Sequence, residues 1–156
     1  MTTDPKRMWL AAGLLAAVHQ CEELLWSMDK WLDQRGTTTL PWLDRHIRRA
    51  PLAAKSFKPR VTTVAAQAVG LLTVATLASR LDKWSRVLTS ALTLGFAGAF
   101  TGHLIVAWRT KSLAPGTITS IIPGLPGAAL VFYYINHDSI CSKHRDTQAD
   151  STRPPH

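Results

Sequence analysis

Charge is missing where this chain is most apolar. Residues 61–79, 87–108 and 118–135 contain no Lys, Arg, Asp or Glu. A helix rises about 1.5 Å per residue, so about 20 residues cross a hydrocarbon core of about 30 Å. Each run is long enough to span, the last being the shortest. Water-facing helices carry an apolar stripe, whereas these are apolar all round, which excludes an ordinary soluble bundle. A mean hydropathy of +0.03 conceals this segregation. Cysteine is also scarce: Cys21 falls in an apolar run and Cys141 in the polar tail, which excludes a disulfide framework. Cys21 is expected to be a small buried apolar side chain. Internal repeats are lacking, which counts against an inverted-repeat transporter. Acidic residues number 10 against 18 basic ones, for a net charge of +8. No basic helix, RNA-binding or zinc motif accompanies that charge, so the expected partner is anionic lipid headgroups and not nucleic acid.

A fourth apolar run, residues 8–26, reads MWLAAGLLAAVHQCEELLW. Lys6 and Arg7 precede it as in a signal peptide. Two glutamates close the run without a small-residue cleavage site, so it is expected to stay in the mature protein. The fold expected is all-α: a four-transmembrane-helix bundle over residues 8–135, multi-pass in the cell membrane, with spans at 8–26, 61–79, 87–108 and 118–135. Trp9 and Trp26 bracket the first span, Trp84 precedes the third and Trp108 closes it, the pattern of an aromatic belt at the headgroups. The connection 27–60 mixes Trp31, Trp42, Ile47 and Phe57 with Arg45, Arg48, Arg49 and Lys55. One or two short amphipathic helices lying in the interface are expected there, with Pro41, Pro51 and Pro59 as starts or breaks and Arg48–Arg49 facing headgroups. Residues 80–86 form a tight turn between antiparallel helices. Residues 1–7 are a polar leader and 136–156 a disordered polar tail. The termini and the 80–86 turn carry eight Lys and Arg and the other connections ten, so the positive-inside rule assigns no orientation.

Polar groups inside such spans are costly, about 2.5–3.5 kcal/mol for a charge at the bilayer centre, and usually mark a site. At about 100° per residue, Glu23 lies about 40° from His19 and Glu22 about 60° to the other side, so one face presents an imidazole flanked by two carboxylates. The first and third helices run the same way. Measured back from Trp26 and Trp108, His19 is about 10 Å deep, Glu22 and Glu23 about 5–6 Å, and His103 about 7–8 Å. Gln67 on the second helix falls at about 9 Å, and the fourth brings Thr119, Ser120 and Pro123 to the same leaflet. Scattered structural polar groups need not agree in depth. His46, His137, His144 and His156 lie in connections or the tail and receive no role. Pro115, Pro123 and Pro126 surround the entry to the fourth span. A helix starting only near Gly127 would be too short, so a kinked one is expected.

His19-Gln20-Cys21-Glu22-Glu23 resembles the signature of the HXXEE family of small bacterial integral-membrane proteins. His103 and the Leu113-Ala114-Pro115-Gly116 stretch through Pro123 are similar to that family's second block, and the resemblance covers about Met8 to Ile135. Ala114 stands where that block has a tyrosine, which removes a hydroxyl. The resemblance implies an architecture and candidate residues, and no particular reaction.

Three readings follow from the residues. In the first, the chain is an enzyme on a lipophilic small molecule, of isomerase, cyclase or hydrolase type. Either His19, His103 and a glutamate ligate a divalent metal such as zinc or iron with the other glutamate as base, or no metal binds and a protonated glutamic acid protonates an alkene or epoxide of the substrate or shifts its double bond, with His19 or His103 as the base. In the second, the same groups form a proton or cation pathway, for which four helices would need a homo-oligomer. In the third, they are structural hydrogen bonds between helices.

Overall fold

The computed structural model describes residues 4–135, whose regular structure is entirely helical. In chain order these are α1 (Pro5–Leu25), α2 (Met28–Arg35), α3 (Pro41–Arg49), a 3-10 turn (Pro51–Ala53), α4 (Phe57–Ala78), α5 (Asp82–Thr110) and α6 (Thr117–Ile135). Local chemistry explains the boundaries. The Asp4 carboxylate accepts the Lys6 amide at 3.0 Å and Pro5 takes the first helical position, so residues 5–7 of the expected polar leader belong to the first turn of α1. Gly36 at φ 86° stops α2. Pro41 and Pro51 open α3 and the 3-10 turn, and Pro59 sits in the first turn of α4, the positions where a missing N–H is harmless. The tail expected at 136–156 lies outside the described residues.

Three helices are long and apolar enough to cross a membrane: Phe57–Ala78, Lys83–Thr110 and Thr117–Ile135, with mean hydropathies of 1.7, 1.5 and 1.6. This is the pattern of a multi-pass membrane protein. Leu72, Leu94 and Leu130 on them are each more than half exposed, a surface that hydrocarbon accepts and water penalises. At 21 residues α1 has the length, but His19, Gln20, Glu22 and Glu23 in its last two turns hold its apolarity below theirs. The kink expected in the fourth segment is present. Ser120–Gly124 forms a wide, π-type turn in which Ile122, at φ −139° and ψ 111°, leaves helical geometry beside Pro123.

The centre of the bundle is α1 against α5 and α6, where Leu15, Phe100 and Ala128 are buried together. Gly127 allows the approach, since a Cβ there would lie 2.5 Å from Leu15 Cδ2. Trp9 departs from the belt expected of it. It is buried, and its indole N–H donates to Ser85 Oγ at 2.8 Å, pinning α1 to α5, because a buried indole needs an acceptor. Trp84 and Trp108 are exposed. Cys21 also departs from expectation: it is exposed and not buried.

The connection between α1 and α4 is a folded cap. Trp31, Leu32 and Ile47 pack with Val106 and Ala114, closing over the end of α5. Arg60 is buried and donates to the carbonyls of Glu23 (3.1 Å) and Leu24 (2.6 Å), capping the C-terminus of α1, where backbone oxygens lack helical partners. Arg48, expected at the headgroups, is bound within the cap: it reaches Asp33 at 2.8 Å and Asp29 at 3.2 Å, while Lys55 reaches Asp33 at 2.5 Å. Hydrogen bonds from Lys55 and then Arg48 hold the Asp33 carboxyl below its ordinary range. A depressed folded value means that this contribution is fully present above the ordinary carboxylate range and is lost as pH falls through the folded value. The pairs are solvent-exposed, so the effect is small. Amide protection factors in α2 and α3, corrected for the intrinsic pH dependence of exchange, should fall on acidification, and Asp33→Asn should remove that step. An unchanged pH profile in the variant would assign the step to another group.

Candidate metal centre

Helical spacing places His19 and Glu23 one turn apart on α1, with His19 Nε2 3.9 Å from Glu23 Oε1. His103 enters from α5 and brings its Nε2 to 3.4 Å from the same oxygen. The two imidazoles meet edge to face, their centroids 4.8 Å apart at 72°. Phe100, one turn before His103, sets its ring edge-on to His19 at 5.0 Å. One donor atom from each of His19, Glu23 and His103 lies within 4.8 Å of the others, and His19 itself is buried. The convergence that equal depth implied is therefore realised for these three groups.

Glu22 turns elsewhere. Its Oε2 accepts the backbone N–H of Thr119 at 2.8 Å and the Thr119 hydroxyl at 2.7 Å, and that hydroxyl oxygen lies 2.9 Å from His19 Nδ1. Successive helical residues diverge by about 100°, which separates the two carboxylates. Gln67 is not brought to the cluster: it accepts from Gln20 at 2.6 Å on another face of α1. Pro123 marks the break in α6, which sets the turn carrying Thr119 against α1.

Sequence reasoning missed Gly116. At φ +83° it lies against the His103 ring so closely that a Cβ would sit 2.5 Å from His103 Cε1. The Pro115–Gly116 pair was the available signal, since glycine is the residue that adopts such a φ freely. It also missed Phe100, which shares a helical face with His103, and the cavity beside the site. A cavity of ≈ 430 Å³ has Glu23 and His103 in its wall and runs beneath the cap along Met28, Leu43, Ile47 and Val106. His46, given no role from sequence, lines it as well.

Two imidazoles and one carboxylate are the donor set of zinc and non-haem iron sites. Bonds of about 2.0–2.2 Å in a tetrahedral site place donors about 3.3–3.5 Å apart. The His103–Glu23 separation of 3.4 Å fits, His19 at 3.9 Å from Glu23 needs a small inward shift, and the trio's full spread of up to 4.8 Å must close further for a single ion to be held by all three. Three protein ligands leave a position open for water or substrate. His103 Nδ1 and Glu22 Oε1 are buried without a hydrogen-bond partner among the described residues. Among those residues the trio is also the one cluster suited to a metal ion.

Fold and site together define a membrane-helix protein with a buried His/Glu/His cluster at the junction of α1 and α5. The family model described as "Protein of unknown function with HXXEE motif" matches residues 9–131, and the chain belongs to that family. The histidine and second glutamate of its motif, His19 and Glu23, are two of the three clustered side chains. No curated protein and no solved structure matches the chain.

Proposed function

We propose that the chain is a membrane-embedded enzyme that holds a divalent metal ion of the zinc or iron type on His19, Glu23 and His103 and acts on a lipophilic substrate. One observation carries this reading: Glu23 and His103 belong both to the ligand trio and to the wall of the ≈ 430 Å³ apolar cavity. A substrate in that cavity would present its reacting group at the open coordination position, while Leu43, Ile47 and Val106 enclose its apolar body. A bound ion would polarise a carbonyl or activate water, which suits hydrolase, cyclase or isomerase chemistry. In this reading α1 is a fourth membrane-crossing helix. Its polar turns are tolerated because they face α5 and α6.

Metal content of the detergent-purified protein tests the centre, and about one equivalent of zinc or iron is expected. A folded protein without metal would turn attention to proton exchange between the carboxylates and imidazoles, or to a proton pathway. Gly102→Leu tests the cavity. Gly102 lines it beside His103, and among the described residues nothing lies within 4 Å of the position its Cβ would take, so the backbone there accepts a side chain and a leucine would take up part of the cavity. The variant should keep its metal and lose whatever lipophilic molecule co-purifies with the wild type, as read by mass spectrometry of the extract. The same molecule in equal amount in both would remove the cavity from the mechanism.

A further inference from the structure

The doubled glutamate of the motif poses a question that the ligand trio leaves open: Glu23 lies with the imidazoles and Glu22 does not. We infer that Glu22 and Thr119 are positioning residues that hold His19 in the tautomer and orientation needed for its Nε2 to bind a metal. The inference rests on the metal-centre reading above.

Thr119 has one hydroxyl proton to give. Its candidate acceptors are Glu22 Oε2 at 2.7 Å, His19 Nδ1 at 2.9 Å and the Gly116 carbonyl at 3.4 Å. The carboxylate is both nearest and charged, so it takes the proton. The backbone N–H of Thr119 donates to the same oxygen at 2.8 Å, so Glu22 is held from two sides. With its proton committed, Thr119 Oγ1 faces His19 Nδ1 at 2.9 Å as an acceptor. The ring proton of His19 therefore sits on Nδ1, and the lone pair sits on Nε2. Nε2 is the atom that faces Glu23 Oε1 at 3.9 Å. In the opposite tautomer Nε2–H would point at Glu23 and no lone pair would remain for an ion.

The chain carboxylate–hydroxyl–imidazole thus does what a carboxylate–histidine pair does at metal sites generally: it fixes the ring and raises the basicity of the ligating nitrogen. The two glutamates divide the work because neighbours on a helix point about 100° apart. Glu23 reaches the ion side of His19, and Glu22 reaches its far side through α6. Thr119 lies in the first turn of α6, where amides have no helical acceptor, so its N–H and its hydroxyl are both available to one carboxylate oxygen.

The test is Co²⁺ titration of the purified full-length protein, with the d–d absorption spectrum as a second readout, on wild type, Thr119→Val, Thr119→Ser and Glu22→Gln. Thr119→Val keeps the shape and removes the acceptor; affinity should fall about 10–100-fold and the spectrum should change. Thr119→Ser restores the hydroxyl and should restore both. Glu22→Gln should weaken binding less than Thr119→Val, since an amide oxygen still accepts. Wild-type affinity and spectrum in Thr119→Val overturn the inference while leaving the metal centre standing. If Thr119→Val does not fold, Glu22→Gln decides, and wild-type binding there overturns it. A wild type that binds no Co²⁺ overturns the metal reading and this inference together.

Discussion

Detergent-purified His103→Ala should contain no stoichiometric metal, while its helices form and pack as in the wild type. His103 supplies one of three donors and lies on a different helix from the other two, so its removal leaves His19 and Glu23 as a two-point site on α1. Loss of an outer partner costs about 10–100-fold in affinity, and loss of a ligand should exceed that. The truncation is tolerable for the fold because His103 is only partly buried and its Nδ1 has no hydrogen-bond partner among the described residues. Elemental analysis alongside helical circular dichroism and size-exclusion behaviour reads both halves. Retained metal would remove His103 from the site. A variant that loses metal and fold together would favour the reading in which these groups are hydrogen-bonded glue between helices.

Gly116→Ala should be among the most damaging single-methyl additions to this protein. The backbone there is at φ +83°, where a side chain costs about 1–2 kcal/mol. The new Cβ would also lie 2.5 Å from His103 Cε1 and 2.6 Å from Nδ1, and overpacking of that kind adds about 1–3 kcal/mol. The ring must move, so metal binding should weaken in parallel with stability. A double-mutant cycle separates the two causes. In a His103→Ala background the clash is gone and only the backbone cost remains, so Gly116→Ala should be milder there by about 1–3 kcal/mol, measured by unfolding in detergent. Additive effects would mean that the His103 ring escapes freely and that Gly116 serves the backbone alone.

Three of the four expected spans and the motif face were readable without coordinates because they depend on local periodicity. A run without charge is long enough or it is not, and His19 and Glu23 share a helical face whatever surrounds them. Height along a helix is also local, which is why depth counted from Trp26 and Trp108 brought His103 to the level of the first motif. The prolines around residue 123 foretold the break in α6 for the same reason: a missing N–H acts on its own turn.

Rotation and neighbours are not local, and there the sequence could not decide. Gln67 has the right depth but turns to Gln20 instead of the imidazoles. Trp9 is placed by Ser85, 76 residues away, and therefore lies inside. What Glu22 meets depends on Thr119, 97 residues away in the first turn of α6. The cavity beside Glu23 and His103 exists only because the cap of α2 and α3 folds over α5. Sequence by itself determined that an imidazole and two carboxylates would stand on one helical face within a membrane-helix protein. Tertiary packing decided what those side chains meet: His103 of α5 joins His19 and Glu23, and Thr119 of α6 takes Glu22.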